Sequence, residues 1–365
     1  MPRLRRFKWA EWAAWTEQEI VADAPQEVAV DTETSGLGFH DLAFCATLTW
    51  RGADGLLKSG YIDLEDGGGR AALLRRVLAS VPAWIFHNAK FDLQKLDYIG
   101  ALPPVVQHIV RDTQPLASLL NENRRLALKS LAVTELGIED VIEVTVKSGP
   151  NKGQTKRVPR EEHHLSAVRR KLKLTKDDGY HLLPREALVP YAIRDTELTL
   201  LLWEKTWPLL GADLAPVYGE ELAVQHILRK MEANGVGVDV PYLEEANDAW
   251  GVQTMERWQA LVQLVGREDF NANSVPQLHA AFTAAGVTLE STDKAHLRDM
   301  VANKASPAKA VALAEALREY RDAEKVYGTY LRPLLADQRD GKAHPWFNSV
   351  GPRTGRTSSS VATND

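Results

Sequence analysis

Apolar and polar residues follow two different periods over residues 27–136. Alternation with period two and short apolar runs predict β-strands, whereas apolar residues three and four positions apart predict helices. The expected strands are 27–34, 43–50, 58–64 and 83–87. The expected helices are 69–80, 90–99, 113–120 and 126–136, the last of which ends before Gly137. Strands that alternate with helices after an opening meander predict a mixed α/β sheet.

The pattern changes twice beyond residue 140. Residues 141–176 are rich in Lys, Arg, Gly and Pro, and their apolar positions predict a protruding hairpin around 149–153. Pro184 then opens a helix that extends to about residue 207, since proline is tolerated in the first turn of a helix. Beyond that helix the apolar spacing is helical almost throughout. The expected helices there are 220–234, 241–265, 275–285 and 308–335.

These changes divide the chain into four parts. Residues 1–25 form an N-terminal amphipathic segment, in which Trp9, Trp12 and Trp15 recur at every third residue. This spacing favours a helix that docks on the next domain, with a membrane-surface or targeting role as the alternative. The other parts are an α/β domain at 26–212 that includes the basic insertion 141–176, a mainly helical domain at 213–342, and a polar, incomplete segment at 343–365.

Composition places the chain among ordinary globular proteins. Of its 365 residues, 44% are hydrophobic and 25% are charged, and no apolar run is long enough to span a bilayer. The single cysteine, Cys45, allows neither an intramolecular disulfide nor a zinc knuckle, so a cytoplasmic location is expected. The net charge of −5 argues weakly against a protein that binds nucleic acid over most of its surface, but it is compatible with local basic contacts.

Four acids and a tyrosine lie where the predicted elements could bring them together. Asp31 and Glu33 are two residues apart on a strand and therefore face the same side. Asp92 follows the strand at 83–87, and Tyr191 and Asp195 share one face of a helix because they are four residues apart. Each pattern is common alone. Together they predict a two-metal phosphodiesterase site for Mg²⁺ or Mn²⁺, which prefer oxygen ligands.

The same residues carry a family resemblance. The segments AVDTET, HNAKFD and YAIRDTELT resemble the three exonuclease motifs of the DEDD superfamily, in its tyrosine branch, on a ribonuclease-H-like fold. The resemblance implies that Asp31, Glu33 and Asp195 hold one metal ion. It also implies that Asp31 bridges to a second ion supported by Asp92, and that Tyr191 orients the attacking water. Asp112 falls in the segment that links the second and third motifs.

The second half resembles family-A DNA polymerases of the DNA polymerase I type. The segment LAVQHILRKMEANGVGVDVPYLEE is similar to the start of their polymerase region, and FNANSVPQL is similar to a thumb motif. HPWFNSVGPRTGRTSSS is similar to the stretch that leads into the palm, where Arg356 would contact the primer-template. The family's palm carboxylates and fingers motifs have no counterpart within these 365 residues. Polymerisation would therefore need a separate palm–fingers polypeptide or the remainder of a longer chain.

The expected fold is a ribonuclease-H-like exonuclease domain of α/β class, followed by a mainly α-helical, thumb-like domain. The expected function is 3′→5′ removal of nucleotides from DNA ends, as the proofreading part of a phage or bacterial family-A polymerase. Expected partners are a single-stranded DNA 3′ end and a primer-template, without a membrane. Two alternatives stay open: an RNA 3′-end trimming exonuclease, and a non-catalytic DNA-binding subunit of a split polymerase.

Candidate nucleic-acid contacts fall into two groups. Basic residues of the insertion could grip phosphates, but a solvated insertion explains them equally well. Residues beside the metal-site motifs could stack on or wedge the terminal bases, although packing under the site is an alternative for Phe91. The candidates are Leu37, Asn88, Phe91, Lys156, Arg157, Arg169, Arg170 and Arg356.

Overall fold

The computed structural model describes residues 9–65, 69–146, 153–175, 178–350 and 355–360. Three predicted features fall on positions outside these ranges: the first part of the N-terminal segment, the turn of the hairpin in the insertion, and the last residues of the tail. Among the residues that are described, no helix combines the length and the apolarity needed to cross a membrane.

The helices and strands follow the sequence pattern closely. The helices are α1 (Trp9–Asp23), α2 (Gly69–Ala79), α3 (Ala89–Tyr98), α4 (Thr113–Leu120), α5 (Leu128–Glu135), α6 (Arg160–Lys171), α7 (Arg185–Thr206), α8 (Ala215–Asn234), α9 (Val240–Val265), α10 (Val275–Ala284), α11 (Lys294–Ala302), α12 (Ala308–Glu324) and α13 (Arg332–Asp337). The strands are β1 (Glu27–Thr34), β2 (Ala43–Arg51), β3 (Leu57–Asp63), β4 (Ala83–Phe86), β5 (Ile109–Asp112), β6 (Val141–Thr145), β7 (Thr155–Pro159), β8 (Val236–Gly237), β9 (Lys342–Ala343), β10 (Trp346–Asn348) and β11 (Ser358–Ser360).

Five strands form one mixed sheet in the order β3-β2-β1-β4-β5. The pairs β1–β2 and β2–β3 are antiparallel, whereas β4 pairs in parallel with both β1 and β5. The strand β6 pairs with β7 as the antiparallel hairpin expected in the insertion. The mixed α/β sheet followed by a mainly helical region confirms the predicted fold class.

Two elements of the first half have no clear signal in the sequence. The strand β5 has only four residues and begins with the exposed Ile109, so it lacks the apolar run of a buried strand. Half of the residues in the helix α6 are charged and only Leu165 is buried, so the apolar period of this helix is weak. Both elements form because neighbouring parts of the fold pair or pack with them.

The two faces of β1 pack against different neighbours, because successive side chains point to opposite sides of a strand. Val28 and Val30 lie in a buried cluster with residues of α2 and α3, including Leu74 and Leu96. Ala29 faces the other way, into a cluster that includes Trp203 of α7. Every second residue of β1, beginning with Ala29, is therefore turned towards α7.

The chain forms two compact units, Met1–Asn234 with Pro345–Asp365 and Gly235–His344. This division lies later in the chain than the boundary expected near residue 212, because α8 packs with the first unit. The Tyr218 hydroxyl of α8 accepts a hydrogen bond from the Asp112 backbone N–H at 2.8 Å, and Arg229 pairs with Asp97 at 2.7 Å.

The second unit is helical around a core of its own. The core includes Leu261 of α9, Phe282 of α10, Leu297 of α11 and Leu317 of α12. The single long helix expected at 308–335 is interrupted, since a π-helical segment at Lys325–Leu331 separates α12 from α13. A π-helical segment changes the direction in which the following side chains point, which apolar spacing alone does not predict.

Candidate active site

Strand β1 presents two carboxylates to the helix α7. Asp31 and Glu33 share the strand face of Ala29, which is the face that packs against α7. The register between β1 and β2 shifts between Glu33 and Thr34, so a β-bulge lies directly beside the acidic pair. Bulges occur often next to functional sites, where they redirect side chains.

Two buried hydrogen bonds from threonine hydroxyls of β2 fix the position of α7 on the sheet. Thr47 of β2 donates to the carbonyl of Ala192 at 3.0 Å, and Thr49 hydrogen-bonds the Thr196 hydroxyl at 2.8 Å. On α7, Ala192 directly follows Tyr191 and Thr196 directly follows Asp195. The helix therefore places its phenol and its carboxylate above β1 in a defined register.

Asp31, Glu33 and Asp195 come together in one cluster. One carboxylate oxygen of each residue lies within 4.8 Å of the others. Glu33 and Asp195 are buried, whereas Asp31 keeps part of its side chain open to solvent. Three carboxylates at this spacing offer only oxygen ligands, the donor set that suits Mg²⁺ or Mn²⁺. The residues present therefore fit a divalent cation.

Asp92 lies beside this cluster but is not part of it. Its Oδ1 accepts hydrogen bonds from the backbone N–H of Thr32 at 2.9 Å and from the Thr32 hydroxyl at 2.7 Å. Thr32 faces the opposite side of β1 from Asp31, so Asp92 approaches the strand from the α3 side. Asp92, the fourth predicted acid, is thus hydrogen-bonded to Thr32, the residue of β1 that lies between Asp31 and Glu33.

Asp112 supports the start of the helix that carries Asp92. Its buried carboxylate accepts from the backbone N–H groups of Asn88 and Gln114 at 2.9 Å and of Ala89 at 2.8 Å. Asn88 adopts the left-handed conformation, with φ of 72°, immediately before α3. The carboxylate satisfies N–H groups that would otherwise be orphaned at two helix N-termini.

Tyr191 is half-buried and packs against a second tyrosine that the sequence did not single out. The ring centroids of Tyr180 and Tyr191 are 5.9 Å apart at 87°, an edge-to-face arrangement. Burial raises the pKa of Tyr191 well above its ordinary value, and the neighbouring Tyr180, Glu33 and Asp31 act in the same direction. The phenol is therefore neutral throughout the physiological range.

Lys129 is a charged residue of the site that sequence reasoning missed. Its ammonium forms an ion pair with Asp195 and lies 4.5 Å from the centre of the Tyr191 ring. Burial lowers the pKa of Lys129 to about 8, although nearby acids including Glu161 and Asp31 oppose this shift. The residue lies on α5, where neither its spacing nor its neighbours in the sequence indicate the site.

The acids of the site hold their protons more tightly than carboxyls in water do. Burial raises the pKa of Asp31 to about 7, and Lys129 opposes that rise. Burial also raises the pKa of Glu33 well above 4.5, and the negative charges of Asp31 and Asp92 add to the effect. Buried carboxyls with few compensating charges are a feature of functional sites, and a divalent cation would supply the missing positive charge.

The predicted nucleic-acid contacts near the site are partly buried. Leu37 follows β1, and Phe91 directly precedes Asp92. The Phe91 ring meets Trp346 edge to face, with centroids 5.9 Å apart, so it packs inside the first unit. Arg356 is exposed beside β11.

The basic residues of the insertion differ in how freely they can reach a partner. Lys156 and Arg157 are exposed on β7. Arg170 donates to the carbonyl of Ser166 at 3.3 Å. Arg169 lies 5.2 Å from the Tyr180 ring centre and donates to the Asp178 carbonyl at 2.9 Å, so it braces the loop beneath the tyrosine pair.

Comparison with known proteins identifies a matching family and several relatives of this chain. The family model for the 3′-5′ exonuclease of DNA polymerase A matches residues 14–211. A thermostable DNA polymerase I of Thermus filiformis is 34% identical over 165 residues, which are 44% of this chain and 20% of that protein. DNA polymerase I of Chloroflexus aurantiacus is 27% identical over 75% of this chain and 27% of its own length. A DNA polymerase of Mycobacterium phage D29 is 26% identical over 91% of this chain and 54% of its own length.

A solved structure resembles nearly the whole chain. It is the polymerase domain of Pol1 from M. smegmatis in complex with DNA primer-template and dNTP, with a TM-score of 0.59 and 22% identity. The match covers 97% of this chain and 54% of that one, and at this identity it establishes the fold alone. The chain thus spans between a fifth and about half of the length of the relatives named here.

The mixed sheet, with its acidic cluster beneath a long helix, belongs to the ribonuclease-H-like class of exonuclease folds. Within that class the chain is a member of the 3′-5′ exonuclease family of DNA polymerase A, as its family match and its DNA polymerase I relatives establish. The resemblance found in the sequence motifs is therefore confirmed.

Proposed function

We propose that this chain removes nucleotides from DNA 3′ ends by metal-dependent hydrolysis, as the proofreading part of a family-A DNA polymerase. The observation that carries the proposal is the cluster of Asp31, Glu33 and Asp195, whose carboxylate oxygens lie within 4.8 Å of one another beneath a neutral Tyr191. An all-oxygen cluster of this kind suits a hard divalent cation, whose charge would offset the cost of burying Glu33 and Asp195.

Each residue of the site has a distinct part in the proposed reaction. Two bound Mg²⁺ or Mn²⁺ ions would supply a nucleophilic hydroxide at neutral pH and stabilise charge on the phosphate oxygens. Asp31, Glu33 and Asp195 would hold the first ion, and Asp31 with Asp92 would support the second. Tyr191 orients the attacking water through its hydroxyl, since a phenol that keeps its proton does not act as a base.

DNA is the proposed substrate, because the relatives that match this chain are named DNA polymerases. Leu37, Asn88 and Phe91, which lie close to the acidic motifs in the sequence, are the proposed contacts of the terminal bases. The exposed Lys156 and Arg157 attract phosphates of the strand, and Arg356 contacts the primer-template.

The second unit, Gly235–His344, has a separate proposed role as a thumb that grips duplex DNA. The support is the phage relative, a DNA polymerase whose similarity extends over 91% of this chain and therefore into this unit. The segment from Pro345 onwards corresponds to the start of a palm in this proposal.

The test is degradation of 5′-labelled single strands of DNA and RNA with Mn²⁺ or Mg²⁺. The unaltered chain should shorten the DNA from its 3′ end and release nucleoside monophosphates. The double variant Asp31→Ala, Glu33→Ala should lose more than ~10³-fold in rate, because it removes the ligands of both ions. Preferential loss of RNA would favour the RNA-trimming alternative, and near-normal hydrolysis by the double variant would contradict the proposed site.

A further inference from the structure

Lys129 places a positive charge inside the acidic cluster. Its ammonium pairs with Asp195, one of the three clustered acids, and faces the Tyr191 ring at 4.5 Å. Asp31 and Glu33 also act electrostatically on it, together with Glu161 and Glu162 from α6. The lysine is therefore a counter-ion of the very carboxylates that fit a metal ion.

The fold holds Lys129 in this position. The helix α5 packs through Leu131 in a buried cluster with Leu202 of α7, the helix that also carries Asp195. Lys129 is the second residue of α5, its side chain is mostly buried, and its ammonium nitrogen is shielded from solvent. Because both helices are anchored by the same apolar contact, the lysine is directed at Asp195 by the fold itself.

We infer that Lys129 is an internal counter-ion that holds the acidic cluster together without metal and competes with the metal ion for Asp195. Three carboxylates whose oxygens lie within 4.8 Å of one another repel each other, and one ammonium relieves part of that repulsion. A divalent cation that enters the cluster must displace this contact, since two positive groups at one carboxylate repel each other. Lys129 therefore lowers the affinity of the site for metal and keeps the ligands in place until metal arrives.

This inference rests on the proposed metal-dependent function, but its test is independent of hydrolysis. Calorimetric titration of Mn²⁺ at one fixed pH compares the unaltered chain with Lys129→Gln and Lys129→Arg. The glutamine variant should bind Mn²⁺ about tenfold more tightly, because a unit charge a few Å from the ion is removed. The arginine variant should keep the weaker affinity, since it keeps the charge. In chelator, the glutamine variant should melt at a lower temperature than the unaltered chain.

Lys205→Gln is the matched control. It removes the same charge from α7, where Lys205 lies ten residues beyond Asp195, about 15 Å further along the helix. It donates to the Glu135 carbonyl, away from the acids. Its Mn²⁺ affinity should equal that of the unaltered chain.

A second measurement uses the unaltered chain and so does not depend on a variant that folds. Acetylation of lysines, mapped by mass spectrometry, should label Lys129 faster after Mn²⁺ is added, with Lys205 as the internal reference. Equal Mn²⁺ affinity in Lys129→Gln and the unaltered chain, or unchanged labelling of Lys129, would overturn the inference. Absence of Mn²⁺ binding by the unaltered chain would instead contradict the proposed function.

Discussion

Tyr191 is half-buried and has two close neighbours in the site. The Tyr180 ring meets it edge to face, and the Lys129 ammonium lies 4.5 Å from its ring centre. Because burial keeps the phenol neutral, its hydroxyl can orient a water molecule but cannot take up a proton as a base. A residue with this role should matter less than a metal ligand.

For Tyr191→Phe we expect hydrolysis to slow by about 10- to 100-fold, in the range of residues that orient a ligand or water rather than hold the metal. The loss should fall on kcat, whereas KM for DNA and the Mn²⁺ affinity should stay unchanged. Steady-state kinetics and calorimetry provide the measurement, with Asp195→Ala as the comparison. A phenylalanine variant as inactive as Asp195→Ala would assign the phenol a larger role.

Asp112 lies outside the acidic cluster but stabilises the start of α3, the helix that carries Asp92. Substitution by alanine leaves three backbone N–H groups without their acceptor, of which that of Ala89 is buried and the other two are partly buried. The expected loss of unfolding free energy is about 3 kcal/mol, the scale for buried groups left unsatisfied. Denaturant unfolding measures it. Asp54→Ala removes an exposed carboxylate that accepts from the Leu56 N–H, so it should cost well under ~1 kcal/mol.

At the scale of elements, the helix α3 is tied to distant parts of the first unit by one buried ion pair. The Lys90 ammonium pairs with Glu232 of α8 and lies 3.0 Å from the ring centre of Trp346, which begins β10. Glu232 also accepts from the Phe347 backbone N–H at 2.7 Å. The helix that carries Asp92 is thus braced by α8 and by the segment after residue 345.

The hairpin β6–β7 and the helix α6 divide the basic residues of the insertion into two kinds. Lys156 and Arg157 are exposed on β7, whereas Arg169 is engaged with the Tyr180 ring and with loop carbonyls. An exposed cation that binds a phosphate releases counter-ions from the DNA, and this release makes binding depend on salt. An arginine that already braces a loop contributes mainly to the local structure.

Replacement of both Lys156 and Arg157 by Gln should therefore weaken DNA binding and reduce its salt dependence. Because this variant lacks two phosphate-binding cations, the slope of log K against log salt should fall by about 1.4 on single strands. Fluorescence anisotropy at several salt concentrations measures the slope. A matched pair on α2, Arg75→Gln with Arg76→Gln, should leave it unchanged. An unaltered slope in the β7 variant would make the insertion a solvated surface feature.

For the whole molecule, the acidic cluster couples stability to pH in the absence of metal. The pKa of Asp31 is raised from 3.8 to about 7 in the folded protein, so the folded state binds its proton more tightly than the unfolded chain does. The free energy of unfolding must then fall as pH rises from 3.8 to about 7. Over this range the folded state binds more protons than the unfolded chain, so a rise in pH destabilises the folded state. A bound cation would offset this loss.

In chelator, the unaltered chain should lose roughly 3 kcal/mol of stability from the Asp31 site between pH 4 and pH 7. Asp31→Asn should flatten this part of the profile, since its amide does not titrate. Denaturant unfolding at several pH values gives the difference between the two proteins, in which the titrating groups remote from Asp31 cancel. Mn²⁺ should stabilise the unaltered chain more above pH 7 than at pH 5. A profile identical in the two proteins would contradict the raised pKa of Asp31.

The sequence alone determined the elements and the spacing of the motifs, because both are local. Period-two alternation predicted β1, β2 and β3, and helical spacing predicted α3 and α7. The i, i+2 and i, i+4 spacings put Asp31 with Glu33 and Tyr191 with Asp195 on shared faces. The order of three such motifs then identified the exonuclease family, which the family match confirms.

Only the tertiary structure decided which distant residues complete the site. Lys129 reaches Asp195 across 66 positions of the chain, and Asp92 is bound to Thr32 rather than gathered into the cluster of three acids. The contact of Arg169 with Tyr180 likewise has no signature in the sequence. These contacts join side chains on separate elements, so no local period encodes them; they exist because the sheet and its helices pack in one arrangement.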